Sequence, residues 1–488
     1  MSSMRQTGRA GNLMAIISKV AWICFLVSLP VTSFPIFPGG LGGSTLVRPL
    51  SIYPLIILLV LVILPRFILK PIPKTFLAFL PYVLIAVAST LLASLHSIEG
   101  IQGISVGERM VRALATLGIG GAIYLAVTLW PTNEEELRFS LRWMYIGFAI
   151  ALLWGSLQAI YILHFSPGYF DLLSDVQRHI STRRLFTNRI SGMSYEPNWF
   201  ADQISFLLLP WLLASVLSGV SVFRMRWRWL TVELGLLGWS LALIPFTYSR
   251  AGLMIMLILV LTSILFFRGE KTSEPRAKRV LGGLPVRRLL EGVLLIVLLG
   301  GLVYFSGSKN SFFARLWDYF QRKPDQGYLA YIGDYFEYLG FGARFAYWGA
   351  AYRIFDDHPV LGVGLGNYAF YFDENLPDIP LATMPEVLRL IVPEEGRTRL
   401  ITSKNLYLRV LAETGLVGAA TFVAFLIAVL GCALYLWFST SRESRFWGIG
   451  GVLGMLAFIM VAFSFDSFAV PNMWVMFGFI TAAMHRLR

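Results

Sequence analysis

The sequence predicts an all-α integral membrane protein of about twelve transmembrane helices. Three observations carry this. The chain is 56% hydrophobic and only 14% charged, whereas soluble domains are roughly 25% charged. Apolar runs recur along its whole length, and many reach the roughly 20 residues that cross a bilayer as a helix. The short connections between runs alternate in basic content, as expected of a chain threading a membrane repeatedly.

The elements follow in order. Arg5, Arg9 and Lys19 precede "VAWICFLVSLPVT". No small-residue cleavage site follows and many further spans do, so this is a first transmembrane helix with a cytoplasmic N-terminus rather than a signal peptide. Spans are expected near 13–33, 49–69, 74–95, 109–130, 139–164, 198–220, 229–246, 250–267, 288–306, 414–438, 446–464 and 468–485. A tight turn joins the pair around Ser249–Arg250. Two connections are long, 165–197 and 307–413. The chain thus divides into N-terminal helices (1–164), a central region with its loop (165–306), a large loop (307–413) and C-terminal helices (414–488). Cys24 and Cys432 fall inside spans far apart in sequence. They read as buried, inert thiols rather than a disulfide or metal pair.

Orientation comes from the short loops. "PRFILKPIPK", "FRMRWRW", "FRGEKTSEPRAKRVLGGLPVRR", "STSRESR" and "HRLR" fall on one side. That side is therefore cytoplasmic, along with both termini, and both long loops lie outside.

The outer face is cationic too. Arg178, Arg183, Arg184 and Arg189 crowd the first long loop, and Arg344, Arg353, Arg389, Arg397, Arg399, Lys404 and Arg409 populate the second. Headgroup binding and solvation account for most of these. Arg250 differs, because "FTYSRAGLMIML" sets one charge between two apolar helices. Such a residue usually faces a polar cavity or a partner, and an anionic ligand fits.

In the second loop, "ARFAYWGAAYRIFDDHP" spaces Phe345, Trp348, Tyr352 and Phe355 as one face of a helix lying on the membrane interface. "VLGVGLGNY" follows with Gly362, Gly364 and Gly366. It reads as a tight turn and not as a dinucleotide fingerprint, since no strand precedes it. Asp356, Asp357 and His358 are adjacent, so a helix points them about 100° apart. Helix termination suits them better than metal binding.

Four segments, "RISGMSYEPNWFADQIS", "TYSRAGL", "RFAYWGAAYRIFDDHPVLGVGLGNY" and "SKNLYLRVLAETGLVG", occur in this order. Together they resemble the O-antigen ligase and polymerase superfamily of bacterial membrane glycosyltransferases, over residues 189–486. The resemblance implies a fold like that of C-type glycosyltransferases. It also implies transfer of a glycan from an undecaprenyl-diphosphate carrier, at the outer face of the cytoplasmic membrane, to lipid A core, another repeat unit or a protein. No cofactor or metal is implied, and no nucleic-acid partner is expected. Breaking a glycosyl–diphosphate bond develops negative charge on the leaving group, which fixed arginines stabilise. By the resemblance, Arg250 and Arg344 take the positions of diphosphate-binding arginines, with Arg189 beside them. Glu196 and Asn198 fall in the matching "EPN" element, whose Pro equally suits a plain helix entry.

Where members of the superfamily have His-Asn, this chain has Lys404-Asn405. The family histidine is the expected base, and a lysine of ordinary pKa is a poor one. Three readings stay open. Lys404 is a base with a depressed pKa; it binds phosphate and leaves Glu196, Glu394 or Glu395 as base; or an oxocarbenium-like transition state needs little base. The departure favours a polymerase over a ligase. Asn405, Arg409 and Glu413 share one helical face, so the Arg409–Glu413 pair reads as structural. Gly415 and Gly418 let the next span approach a neighbour closely. The rival classes are a transporter or flippase and a non-catalytic envelope scaffold.

Overall fold

The computed structural model describes residues 2–36, 46–69, 72–96, 98–223, 226–227, 230–267, 341–377, 384–392 and 400–487, with isolated positions between 293 and 335. Helices dominate. In chain order they are α1 (Ser2–Val27), α2 (Ile52–Ile68), α3 (Lys74–Ala93), α4 (Val106–Leu129), α5 (Glu134–Leu163), α6 (Pro167–Ile180) and α7 (Pro197–Ser218). Then come α8 (Val232–Leu243), α9 (Arg250–Thr262), α10 (Gly342–Asp357), α11 (Pro385–Ile391), α12 (Leu406–Phe438), α13 (Arg442–Val461) and α14 (Pro471–Leu487). Two two-residue strands, Arg226–Trp227 and Leu230–Thr231, pair antiparallel beside α8.

Six of these helices (α3, α4, α5, α7, α12 and α13) are long and apolar enough to cross a membrane. Shorter apolar helices lie at Asn12–Val27, Ile52–Ile68, Val232–Thr247 and Arg250–Leu265. The expected ninth span, 288–306, lies almost wholly outside the described residues. Proline shapes several helices. It lacks an N–H and its ring clashes with the carbonyl four residues back. Segments Leu59–Ile63 and Gln203–Leu208 widen into π-turns just before or around those clashes, ahead of Pro65 and Pro210.

The core is one layer of helices around α12 and α13. Helix α12 packs on α13 and α3, α13 on α7, and α14 on α4. Large aromatic side chains fill the seams, among them Trp22, Trp211, Trp447 and Trp474. Some buried polar atoms pair across helices, as Trp22 Nε1 does with Ser140 Oγ at 2.8 Å. Rows of apolar side chains stay exposed on α1, α2, α3 and α12, including Ile16, Ile56, Leu84 and Ile427. Cys24 also lies exposed on α1, not buried as expected; Cys432 is half-buried.

Hydrogen bonds sort the connections to two ends. At one, Arg442 Nε donates to Ser218 O (2.6 Å), Arg142 Nη2 to Val222 O (3.0 Å) and Arg486 Nε to Pro131 O (2.8 Å). At the other, Ile190 N donates to Phe246 O (3.0 Å), Leu406 N to Ala462 O (2.8 Å) and Arg109 Nε to Gly366 O (3.1 Å). The described parts of both long connections meet at this second end.

Residues 341–412 carry a small core of their own, built on Ala346, Tyr347, Ala350, Ala351 and Ile354 of α10. Phe345 and Tyr352 remain exposed on the opposite face. The glycine-rich turn anchors this unit. Helix α12 begins at Leu406, ahead of the expected 414, and breaks at Gly415 (φ 63, ψ −167). Hydropathy scores the polar residues 405–413 as loop, but capping and ion pairing satisfy them inside a helix. At the break, Val363 N and Gly364 N donate to the carbonyls of Ala412 (3.0 Å) and Glu413 (2.9 Å). Leu416 N and Val417 N donate back to Pro359 O (2.8 Å) and Val360 O (3.2 Å). The turn thus replaces the helical bonds lost at the kink. A Cβ on Gly415 would lie 2.3 Å from the Val360 carbonyl, and one on Gly362 2.5 Å from the Ala412 oxygen, so side chains are excluded from both positions.

Candidate active site

The candidate residues lie at the second end, on two loops and at the starts of α7, α9, α10 and α12. The loop after α6 is fixed from below by buried amides. Gln158 Oε1 accepts from Ser191 N and Gly192 N (2.9 and 3.0 Å). Gln203 Oε1 accepts from Ser194 Oγ at 2.8 Å, and Thr32 Oγ1 from Tyr195 N at 3.0 Å. Arg189 then crosses to the turn between α8 and α9. Its Nε donates to Thr247 O (2.8 Å), and its Nη2 to Asn198 Oδ1 (2.7 Å) and Tyr248 O (3.3 Å). Burial pushes this guanidinium down to about 10; Glu196 raises it, whereas Arg250 and Arg183 lower it. It stays charged at neutral pH. Those influences also place Arg183, Arg189, Glu196 and Arg250 in one electrostatic neighbourhood.

Glu196 stands at the entry of α7 ahead of Pro197 at the first helical position. Its carboxylate pairs with Arg183 Nη1 at 2.5 Å, and Arg183 stacks over Phe186 and Tyr195. Asn198 is exposed and turned to Arg189. Arg250 opens α9, where Ser249 Oγ caps Gly252 N at 3.2 Å. Tyr248, just before it, holds a left-handed backbone (φ 47). A tyrosine there is strained, and such strain clusters at functional positions.

Arg344, in the first turn of α10, is half-buried. Its electrostatic partners are Asp202 and Tyr347, and its side chain makes no hydrogen bond or ion pair among the described residues. Asp202 lies one helical turn beyond Asn198, and its Oδ1 is buried with no partner among the described residues. The motif reading missed Asp202. Its signal was an ionisable side chain inside an otherwise apolar span, which is costly unless it is used.

Lys404 stands just ahead of α12. It too is left-handed (φ 55), held by its own N–H donating to Asp466 Oδ2 at 2.8 Å. Its ammonium makes no ion pair among the described residues. Asn405 caps α12 by accepting from Tyr407 N and Leu408 N (3.0 and 3.2 Å). Arg409 Nε meets Glu413 Oε2 at 2.9 Å with both side chains buried, at 7% and 2% exposure. Arg409 Nη1 also bonds Asp466 O. Arg109 from α4 is electrostatically coupled to Arg409, Glu413 and Asp466. Neither Arg109 nor Asp466 was singled out by motif, because each sits at the edge of a span where a charge looks ordinary. Helix α10, bearing Arg344, packs on α12. Glu394, Glu395, Arg397 and Arg399 lie outside the described residues. His358 ends α10 as its C-cap, and no group of three or more His, Cys, Asp or Glu suited to a metal occurs among the described residues.

The described residues set several guanidinium groups and the Lys404 ammonium at one end of a helical membrane-type bundle, with Arg183 and Arg409 already paired to Glu196 and Glu413. That defines a class: a helical protein of membrane type with a cluster of cationic side chains at one end. Residues 235–423 match the family model described as O-antigen ligase. The match includes Arg250, Arg344, Lys404 and Arg409, and supports placement in the O-antigen ligase and polymerase superfamily. The family implies a membrane glycosyltransferase-like enzyme with a lipid-linked glycan donor and a glycan acceptor, in the inner membrane of a bacterium. No curated protein matches the chain.

Proposed function

We propose that the protein transfers a glycan from an undecaprenyl-diphosphate carrier to a carbohydrate acceptor at the outer face of the cytoplasmic membrane, without a metal. Support comes chiefly from Arg344, a half-buried guanidinium with no ion pair among the described residues, at the same end of the bundle as Arg250. In this reading the acceptor hydroxyl oxygen attacks the anomeric carbon and its proton is released to water. The bond from that carbon to the diphosphate oxygen breaks, and its electron pair leaves with the diphosphate. Arg250 and Arg344 stabilise the charge that develops there. Arg189 braces the turn that presents Arg250, and Asp202 steers Arg344. Lys404 holds phosphate as a further cation, and repeat-unit polymerisation is favoured over ligation because the family histidine is absent. The test is incubation of the purified protein with a diphosphate-lipid-linked repeat unit, with and without EDTA. A ladder of products insensitive to EDTA is expected. A single addition to lipid A core would make it a ligase, and loss of activity restored by magnesium would overturn metal independence. No transfer to any acceptor would remove the reading.

Lys404 yields a second prediction. If it holds phosphate, Lys404→Arg keeps the charge and retains most activity, whereas Lys404→His, mostly neutral, is weaker. If it is a base, the order reverses, because arginine does not deprotonate and imidazole titrates near neutrality. Transfer by the three forms across roughly pH 6–9 separates the two roles. We expect Arg to outperform His.

A further inference from the structure

The end of the bundle opposite the candidate site holds a cavity of about 590 Å³. It is walled by the middle of α1, the end of α2, the end of α4 and the first turns of α5. Four cationic side chains line it, Lys19, Arg66, Arg138 and Arg142, against two carboxylates, Glu135 and Glu136. Much of the acidic charge is already engaged. Glu136 Oε2 accepts from Thr132 N and Oγ1 at 2.6 and 2.9 Å. Arg138 is paired with Glu134 and Glu443, but its Nε is buried with no hydrogen-bond partner among the described residues.

The other three cations have no ion pair among the described residues. Arg66 donates to the Leu129 and Trp130 carbonyls. Arg142 donates to Val222 O and lies over the Phe223 ring, and its Nε is also an orphan buried donor. Lys19 Nζ sits 4.9 Å from the centre of the Phe139 ring and is otherwise exposed. Buried donors without acceptors are costly unless a ligand or water meets them, and several fixed cations around one space select an anion.

We propose that this cavity binds the headgroup of an anionic phospholipid. The size exceeds what a free phosphate fills, and the walls continue into apolar surface. Leu13, Ile16, Ile17 and Val20 of α1 and Leu64, Phe67 and Ile68 of α2 are all exposed beside it. A ligand with a phosphate and acyl chains satisfies both the donors and that surface, and basic pockets between membrane helices bind such headgroups. Neither the cavity nor its ligand depends on the proposed glycosyl transfer.

The test is native mass spectrometry of the full-length protein released from nanodiscs of phosphatidylglycerol, cardiolipin or phosphatidylcholine. Wild type and Lys19→Arg should retain one anionic lipid. Lys19→Gln and Arg142→Gln should each hold it about fivefold more weakly, as expected for one cation near an anionic headgroup. Both variants should keep wild-type glycosyl transfer, since they lie away from the site. Equal retention of phosphatidylcholine, or undiminished binding in both Gln variants, would overturn the proposal. So would displacement of the lipid by inorganic phosphate at matched concentration, which would assign the cavity to a soluble anion.

Discussion

Arg344→Ala and Arg250→Ala are each expected to lower glycosyl transfer by about 100- to 1000-fold, the usual cost of removing a positioned group that stabilises developing charge. Both side chains are half-buried and stand at helix starts, so truncation should leave the bundle and its insertion intact. Rate against donor concentration is the informative measurement. A loss mainly in kcat places the arginine on the departing diphosphate, whereas a loss mainly in KM places it on the bound donor. Lysine should rescue poorly, because it offers one point of contact where the guanidinium offers a fork. Retention of more than about a third of the wild-type rate by either alanine variant would remove that residue from the chemistry, since no charge-stabilising group is worth so little.

Glu413→Gln should destabilise the protein by about 3–5 kcal/mol, the typical cost of breaking a buried ion pair by removing one partner. The reason is local. Arg409 is buried against Glu413, and Arg109 is coupled to the same charges. Without the carboxylate, buried Arg409 and half-buried Arg109 would have only Asp466 as a nearby countercharge among the described residues. The main-chain carbonyl of Glu413 would still hold Gly364 N and Ser89 Oγ, so the glycine turn should stay docked. Thermal unfolding in detergent measures the loss, and Arg409→Met combined with Glu413→Leu should recover most of it. A single Glu413 variant as stable as wild type would show that the pair is not structural, and would make Arg409 a candidate for ligand binding.

Much of this was legible in the chain. The helix starts at Arg250 and Pro197, the tight turn before Arg250 and the end of α10 near Asp357 all follow local rules of capping and proline geometry. The glycine turn was also readable as a turn. Its purpose was not, because the break it mends lies at Gly415, some fifty residues on, and only three-dimensional pairing brings the two together. Asp202, Arg109 and Asp466 escaped for a related reason. A charge in or beside an apolar run looks like noise until its neighbours are known.

By itself, the sequence determined that this chain is a helical protein of membrane type and where most of its helices run, and it carried the motifs behind the resemblance. These are properties of composition, period and short motifs, written in residues close together along the chain. Only the tertiary structure decided that Arg189 braces the turn preceding Arg250, that Asp202 feels the charge of Arg344, and that Lys404 is held by Asp466. Those pairings join segments tens to more than a hundred residues apart. Their energies depend on burial and distance, which no local pattern encodes.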